Sequence, residues 1–341
     1  MTVGSAFSKI FLHFLIPLLL VSLPGSVVLG QQKSTLLMSV LNSRQHQWGK
    51  DDNPVIGIFI SSDAGVTWQH RGWREYIRTF YTEAGPDGTL WSACGNGVLR
   101  STDGGASWRV TTGWNVTEVL KVKVDPSNPR RVHAATAYGL ITSADRGETW
   151  RYRMQGVARR FTSDVCIDRR DPNNLLLATE LGVFRSSSAG ERWEPTGLSA
   201  TDTRTIIQHP TRPGVFWAGT EDKGMWQSLD GGRTWRMSSA GLGHLTVYAI
   251  AIEQPEGPLY IGTHGGGVYR SSDNGATWQQ CSRGMDILDV HTLAVHPRHP
   301  GTVFAGTLNG GLYQSTDHGE SWRFNSQPDA QVWGLWWGEM K

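Results

Sequence analysis

The sequence predicts an all-β fold, a seven-bladed β-propeller of four-stranded antiparallel blades. The first observation is an eight-residue phrase, Ser-x-Asp-x-Gly-x-Thr-Trp, which is clearest at Ser271–Trp278. Its copies end, 40 to 44 residues apart, at Trp68, Trp108, Trp150, Trp193, Trp235, Trp278 and Trp322. A fixed period in this range indicates a repeat architecture. The second observation is that each unit holds four short apolar strands, here called A, B, C and D, which is typical of a propeller blade.

The repeated phrase has the composition of a tight turn between strands C and D. An Asp side chain accepts hydrogen bonds from the backbone N–H groups that follow it, and Gly supplies the positive φ that such a turn needs. The Trp begins strand D and is expected to be buried. In the copy at Ser186–Trp193, Ser188 replaces the Asp and Arg192 replaces the Thr. These roles are structural, so no catalytic role is assigned to the phrase.

The two ends of the chain are expected to share one blade. Ser34–Leu41 matches strand B of the other units, but no strand A precedes it. Gln331–Trp337 follows the last phrase and matches strand A. The C-terminal strand should therefore complete the first blade and remove exposed sheet edges, and deletion of the residues after Ser326 should unravel the fold. The long B–C connection of this blade, residues 42–56, is either a functional loop or a disordered insertion.

The repeated phrase resembles the Asp-box, or bacterial neuraminidase repeat. This repeat occurs in sialidases, sortilin, xyloglucan-degrading glycoside hydrolases and the photosystem II stability/assembly-factor family. The resemblance covers nearly the whole chain after residue 33. It implies the propeller fold and leaves the function open, because these families use one scaffold for unrelated purposes.

Residues 1–30 have the character of an export signal. Lys9 is the only charged side chain there, and an apolar run, Ile10–Leu23, follows it. This pattern predicts a signal peptide cleaved after Gly30, with an uncleaved membrane anchor as the alternative. In either case residues 31–341 are expected to form a single propeller outside the cytoplasm, periplasmic or secreted. Membrane contact would occur only through an uncleaved N-terminal segment.

The charge balance and the cysteine spacing argue against a nucleic-acid partner and against a metal site. The chain has 32 Lys and Arg against 30 Asp and Glu, so a nucleic-acid partner is not expected. Cys94, Cys166 and Cys281 fall in three different units without metal-type spacing, and we expect packing roles, with a disulfide between blades as the alternative. The sequence contains no nucleotide-binding loop and no metal-ligand cluster, so no cofactor is expected.

The channel mouth on the face of the D–A and B–C loops is the first candidate site, since related enzymes have their active site on that face. Aligned A strands give a chemically mixed mouth column of Arg78, Leu120, Ser163, Arg204, Tyr248, His291 and Trp333. Two residues later along each A strand, the aligned positions form an inner column that is apolar: Phe80, Val122, Val165, Ile206, Ile250, Leu293 and Leu335. Packing alone does not explain the mixed column, so Arg78, Arg204, Tyr248 and His291 are predicted binding residues.

An arginine-rich sector in the D–A loops is the second candidate site. Its members are Arg71, Trp73, Arg74, Arg78, Arg109, Trp114, Arg151, Arg153, Arg159 and Arg160. Arginines with exposed tryptophans suit a carboxylate, a phosphate or an acidic protein surface. The alternative is that these are solvated loop charges whose aliphatic stems cover apolar surface.

The sequence favours a non-enzymatic binding scaffold that presents this arginine-rich face to a protein partner with an acidic surface. The assembly-factor family resembles the chain in general architecture. A sialidase is disfavoured, because the mouth column lacks a third arginine. The alternative is a glycoside hydrolase using two of Glu118, Asp202 and Asp289 across the channel, although carboxylates at a strand start also cap turns. Exposed Trp48, Trp73 and Trp114 could stack on sugars, so polysaccharide binding without hydrolysis is a further alternative.

Overall fold

The chain folds into seven four-stranded antiparallel sheets, the blades of a ring, as the repeat predicts. The structure, a computed structural model, describes Met1 and residues 34–46, 55–72, 77–158 and 161–339. The predicted signal segment after Met1 and the middle of the long loop in the first blade lie outside the described residues. No helix in the part of the chain that is described has the length and apolar character needed to cross a membrane.

Each blade runs from an inner strand A beside the channel to an outer strand D. The inner strands are β4 (Thr79–Ala84), β8 (Val119–Val124), β12 (Thr162–Ile167), β16 (Thr203–Gln208), β20 (Val247–Ile252), β24 (Val290–Val295) and β28 (Ala330–Glu339). The B strands are β1 (Ser34–Ser43), β5 (Leu90–Cys94), β9 (Val132–Thr136), β13 (Leu175–Thr179), β17 (Phe216–Thr220), β21 (Leu259–Thr263) and β25 (Val303–Thr307). The C strands are β2 (Gly57–Ser61), β6 (Gly97–Ser101), β10 (Gly139–Ser143), β14 (Gly182–Ser186), β18 (Met225–Ser228), β22 (Gly267–Ser271) and β26 (Leu312–Ser315). The D strands are β3 (Gln69–His70), β7 (Arg109–Val110), β11 (Arg151–Tyr152), β15 (Glu194–Ser199), β19 (Arg236–Met237), β23 (Gln279–Gln280) and β27 (Arg323–Ser326).

The first blade is closed by the C-terminal strand, which confirms the expected ring closure. β28 pairs with β1 along its whole length, from Ser34 opposite Glu339 to Ser43 opposite Ala330. It also lies between the inner strands β24 and β4 of the neighbouring blades. The B strands β5, β9, β13, β17, β21 and β25 are buried at every residue. The apolar core therefore lies in the blades and between them, around the channel.

The repeated phrase forms the C–D turn with the predicted hydrogen bonds. In blade six, the Asp273 carboxylate accepts the Thr277 N–H at 2.9 Å and the Thr277 hydroxyl at 2.6 Å. The Gly275 N–H donates to the Ser271 hydroxyl, and Gly275 has a φ of 86°. In the degenerate copy the Ser188 hydroxyl accepts the following N–H at 3.1 Å in place of the carboxylate. The Ser186 hydroxyl still accepts the Ser188 and Gly190 N–H groups, so two hydroxyls together keep the turn without a carboxylate.

Five of the seven turn tryptophans donate their indole N–H to the preceding blade, whereas that of Trp235 donates within its own turn and that of Trp150 has no partner among the described residues. The Trp278 indole N–H donates to the Ser238 carbonyl of the preceding blade at 2.6 Å, and that of Trp322 donates to the Cys281 carbonyl at 2.7 Å. Trp278 and Trp322 are also buried.

All three cysteine thiols are free, and burial raises the pKa of Cys94 to about 11 and that of Cys166 to about 12. They pack in the blades and form no disulfide.

Every inner strand carries a β-bulge near its start. In β20, Val247 pairs with Thr263 and Ala249 with Gly262, so Tyr248 between them has no partner across the ladder. The same register shift leaves one residue unpaired in each of the other inner strands. The seven bulge residues are Phe80, Leu120, Ser163, Arg204, Tyr248, His291 and Trp333. Because a bulge turns its extra residue away from the regular pleat, these positions are free of the packing that fixes their neighbours.

The residues of the predicted mouth column occupy the bulge positions in six blades, but the alignment is wrong in blade two. There the bulge residue is Phe80, and Arg78 precedes the strand. The inner column accordingly contains Thr82 in place of Phe80, so it is not wholly apolar. Thr82 is buried, and its hydroxyl is hydrogen-bonded to the hydroxyls of Ser39 at 2.8 Å and Ser92 at 2.9 Å. This internal network is why a polar side chain is tolerated at a packing position.

Candidate functional site

Four of the bulge residues form a continuous aromatic arc around one half of the channel mouth. The Phe80 and Trp333 rings meet edge to face, with centroids 5.5 Å apart. The His291 ring is tilted against Trp333 at 4.6 Å and stacked on Tyr248 at 4.5 Å. Phe80, Trp333, His291 and Tyr248, from blades two, one, seven and six, are called the aromatic arc below. All four are partly exposed, so the arc is available to a ligand.

His291 is uncharged within the arc at neutral pH. Burial lowers the pKa of His291 to about 4, because the protonated ring would lose its hydration. A neutral imidazole packs against Tyr248 and Trp333 as a third aromatic ring. The arc is therefore an apolar surface that presents ring atoms with little formal charge.

A carboxylate cluster continues the arc at blade five. The Arg204 Nε lies 2.6 Å from Glu221 Oε2, and its Nη2 lies 3.2 Å from Asp202 Oδ2. The Tyr248 hydroxyl donates to Glu221 Oε1 at 3.4 Å, which joins the cluster to the arc. The Arg204 guanidinium also lies 5.9 Å from the Phe161 ring. The three charged side chains are 26% to 36% exposed, so all are accessible from solvent.

Two groups beside Arg204 have displaced pKa values. Burial raises the pKa of Asp202, and Arg204 opposes that shift. The Asp202 Oδ1 atom is buried and has no hydrogen-bond partner among the described residues. Burial also raises the pKa of Tyr248, and the Glu221 carboxylate adds to that shift. The cluster can accept further hydrogen bonds through the oxygen atoms of Glu221 and Asp202.

The three predicted carboxylates belong to different blades: Glu118 precedes the inner strand of blade three, Asp202 that of blade five and Asp289 that of blade seven. Blade six lies between Asp202 and Asp289 along the ring. Asp289 Oδ1 accepts the Gly265 N–H at 2.8 Å and lies 2.9 Å from His264 Nδ1, which is the turn-capping role. Glu118 is exposed before β8, with a φ of 50°.

The described members of the predicted arginine sector lie mainly on outer strands. Arg109 pairs with Glu148 of the next blade at 2.6 Å, and Arg153 forms an ion pair with Glu191. Arg151 is an exposed residue of β11, the outer strand of its blade. Three strand spacings of about 4.8 Å separate an outer strand from the inner one, so these arginines are about 14 Å from the inner strands. They tie neighbouring blades together at the outside of the ring.

The remaining sector residues divide into three groups. Arg78 is exposed directly before β4, and its carbonyl accepts the Gly95 N–H of the B–C turn, so it flanks the mouth. Arg71 donates to Gln69 beside the outer strand, and Trp114 is 94% exposed in the D–A loop between β7 and β8. Trp73, Arg74, Arg159 and Arg160 lie outside the described residues, as does Trp48, the tryptophan predicted to stack on sugars. Binding of an acidic surface by this sector stays a prediction.

The sequence reasoning missed Glu221, the residue that joins the arc to Arg204. It lies directly after β17, in the B–C turn of blade five. The equivalent turns of blades six and seven read His264-Gly-Gly and Leu308-Asn-Gly, whereas blade five has Glu221-Asp222-Lys223-Gly. The charged residues in place of glycines are the feature of the sequence from which a functional role of this turn could have been predicted.

No protein-family model matches the sequence, and no curated protein matches it either. Solved structures do match the fold. The xyloglucanase of glycoside hydrolase family GH74 from Xanthomonas campestris is 17% identical with a TM-score of 0.61, over 72% of this chain and 45% of that one. The extracellular domain of BT4673 from B. thetaiotaomicron is 16% identical with a TM-score of 0.62, over 87% of this chain and 39% of that one.

YCF48 from Cyanidioschyzon merolae is 15% identical with a TM-score of 0.56, over 72% of this chain and 84% of that one. A further structure shows YCF48 bound to a D1 peptide, 16% identical with a TM-score of 0.55, over 77% of this chain and 94% of that one. The chain spans less than half the length of the xyloglucanase and BT4673 structures that it matches. At these identities the likeness establishes the propeller fold, which hydrolases and peptide-binding proteins share.

Proposed function

We propose that the protein is a non-enzymatic binding scaffold outside the cytoplasm, which holds a segment of a partner protein at the channel mouth. The observation that carries this proposal is the continuous rim of four aromatic side chains and the Arg204 cluster. Aromatic residues and arginine are the side chains most enriched where proteins bind one another tightly. The seven bulge residues occupy one equivalent position of the repeat but differ in chemistry. Such variety is expected where a surface recognises a ligand, whereas packing between blades would favour similar apolar residues.

The geometry favours a segment with both apolar and polar groups. An apolar side chain of the partner would cover the rings of His291 and Trp333, and burial of such surface contributes about 25 cal/mol per Å². Backbone N–H groups of the same segment would donate to Glu221. The Arg204 guanidinium is held by two carboxylates, so its position is fixed before binding and little entropy is lost on association.

The likeness to YCF48, which has been seen with a D1 peptide, supports a protein segment as the ligand. The likeness to the extracellular domain of BT4673 and the predicted signal segment support a location outside the cytoplasm. The acidic partner surface remains a separate proposal, resting on Arg78 and on sector residues outside the described ranges. Arg109 and Arg153 contribute little to it, because Glu148 and Glu191 already neutralise them.

The proposal is tested by retention of partners on the immobilised protein. Extract of the source cells' envelope is passed over the wild type, over Tyr248→Ala and Arg204→Met, and over the control Leu229→Ser. Leu229 is 56% exposed in the C–D turn of the same blade as Arg204, on the opposite face of the ring. We expect a discrete protein that the wild type and the control retain and both mouth variants lose. Equal retention by all four proteins would refute the mouth as the binding site.

A glycoside hydrolase or carbohydrate-binding propeller is the second candidate function. The observation in its favour is the raised pKa of Asp202 beside Glu221, since glycosidases use a protonated acid near a second carboxylate. Purified protein is incubated with a panel of polysaccharides, and released reducing ends are measured. Hydrolysis that Asp202→Asn and Glu221→Gln both abolish would establish the enzyme. Polysaccharide binding without product would establish the carbohydrate-binding form.

A further inference from the structure

The channel below the mouth has one charged wall and one apolar wall. Its cavity of about 590 Å³ is lined by the inner strands. The charged wall comes from blades two, three and four, and carries Glu83, Lys121, Lys123 and Asp164 around the Tyr81 ring. The apolar wall comes from blades six and seven: Ala249, Ala251, Leu293 and Ala294. Charge is therefore concentrated on one side of the channel, where interactions between charges are stronger than in bulk water.

Three of the four charged groups are satisfied by the protein. Lys123 Nζ lies 3.0 Å from Glu83 Oε2 and donates to the Tyr81 hydroxyl at 3.1 Å. The other Glu83 oxygen accepts the Val124 N–H at 2.7 Å. The Asp164 carboxylate accepts the N–H groups of Val165 at 2.8 Å and Ile206 at 3.1 Å, and the hydroxyl of Thr205 at 3.3 Å.

Lys121 differs from these three groups. Its Nζ lies 3.7 Å from the centroid of the Tyr81 ring, and no oxygen atom of the described residues accepts a hydrogen bond from it. An ammonium group has three donors and a ring face is a weaker acceptor than an oxygen, so the ammonium of the half-buried Lys121 can donate to a ligand in the channel. Burial lowers the pKa of Lys121, and the Asp164 carboxylate opposes that shift. Lys121 and Lys123 are two residues apart on β8, so both face the channel.

We propose that the channel binds a small oxyanion, a carboxylate or a phosphate, on Lys121 beside Tyr81 and Lys123. The anion would give the Lys121 ammonium an oxygen acceptor, which none of the described residues provides. Lys123 adds a second positive charge nearby, and the Tyr81 hydroxyl is within its reach. The Ala249 and Ala251 wall leaves space for the rest of a small molecule. This site shares its cavity with Tyr248, His291 and Trp333 of the aromatic arc, but it involves other residues and does not depend on the function proposed for the mouth.

The experiment measures protection of Lys121 from reductive methylation, read by mass spectrometry on the intact folded protein. Sodium phosphate and sodium acetate are the two probes, and sodium chloride at matched ionic strength is the reference. Lys223, whose Nζ donates to the Ala200 carbonyl at the surface, is the internal control. We expect a saturable protection of at least about 10-fold at Lys121 and none at Lys223, since occupancy at 100 times Kd leaves about 1% of the sites free.

Protection by phosphate alone assigns a phosphate site, and protection by acetate alone assigns a carboxylate site. The same probes are titrated calorimetrically against Lys121→Met, Lys121→Arg and the control Lys223→Met. Heat of binding should be lost in Lys121→Met and kept in the other two. If neither anion protects Lys121 in the wild type, the proposal is overturned, and this result does not require any variant to fold. Binding that is unchanged in a folded Lys121→Met protein would also overturn it.

Discussion

Closure of the ring by the C-terminal strand can be tested at a single glycine. Gly334 on β28 faces the first strand of the next blade. A Cβ added there would lie 2.5 Å from the Phe80 carbonyl oxygen and 2.8 Å from the Tyr81 Cα. Both atoms belong to the backbone, so neither can rotate away. Gly334→Ala must therefore push β28 and β4 apart.

Such overpacking costs typically about 1–3 kcal/mol. In a protein of this size each kcal/mol lowers Tm by about 2 °C, so we expect Gly334→Ala to melt about 2–6 °C below the wild type. Gly95→Ala is the matched control, because a Cβ at that position meets no atom within 4 Å. It should change the free energy of unfolding by less than about 0.5 kcal/mol. Tm is measured by circular dichroism for all three proteins at one concentration.

Equal Tm values for Gly334→Ala and the wild type would refute the close approach of β28 to β4. Deletion of the residues after Ser326 is the stronger form of the same test. It removes the partner of β1 and exposes a strand in which Leu36, Leu37 and Met38 are at most 1% exposed. An unpaired apolar edge of this kind associates with other chains. We expect aggregation, and a monomeric truncated protein with the wild-type Tm would contradict the closure.

Three further predictions concern turns and the mouth. Asp273→Ala should destabilise the fold by about 1 kcal/mol in urea at pH 7, as loss of a capping side chain does. Hydrogen bonds from Thr277 lower the pKa of Asp273 to about 2 in the folded protein, whereas the pKa in the unfolded chain is near 3.9. The stabilisation that the Asp273 carboxylate provides is therefore complete above about pH 4. The difference between variant and wild type should therefore shrink as pH falls toward 2, and a constant difference would contradict the assignment. The pKa of His291 is about 4 in the folded protein and about 6.5 in the unfolded chain. The neutral His291 ring therefore contributes its full stabilisation above about pH 6.5, and this contribution is lost as pH falls from 6.5 through 4. Unfolding curves of His291→Phe should accordingly lose less stability over that window than the wild type, and parallel curves would refute the neutral ring. Arg204→Met should raise the pKa of Asp202 further in an NMR titration, because it removes the cation that opposes the effect of burial, and an unchanged pKa would show that the pair is not formed.

The seven-bladed fold was predictable because the repeated phrase carries its own turn chemistry. Asp273, Gly275 and Trp278 each have a local role that the residue type reveals. The closure of blade one followed from a missing strand at one end and an extra strand at the other. Both inferences rest on pattern, which a sequence displays directly.

The mouth was only partly predictable. The alignment of the inner strands placed Arg204, Tyr248 and His291 together. The β-bulge that turns these side chains toward the mouth, however, is not marked by any particular residue type in the sequence. In blade two the alignment matched the apolar Phe80 to a packing column, whereas Thr82 occupies it through two hydroxyl hydrogen bonds. A polar residue satisfied by its neighbours cannot be distinguished from an exposed one in sequence.

Pairing across blades was also hidden from the sequence. Glu148 lies 39 residues after Arg109, and Glu191 lies 38 residues after Arg153. These separations are close to one repeat, but repeat spacing alone does not say which long side chains meet. The arginines therefore looked free, and only the structure showed that acidic residues of the next blade neutralise them.

The most direct test of the central claim is site-specific photo-crosslinking in the native cells. A photoreactive phenylalanine analogue is placed at Leu120, a bulge residue on the mouth rim, and in a second protein at Leu229 on the opposite face. The account predicts one discrete protein adduct from position 120, lost when Tyr248→Ala is added, and none from position 229. Equal adducts from both positions, or an adduct from position 229 alone, would contradict a binding site at the channel mouth.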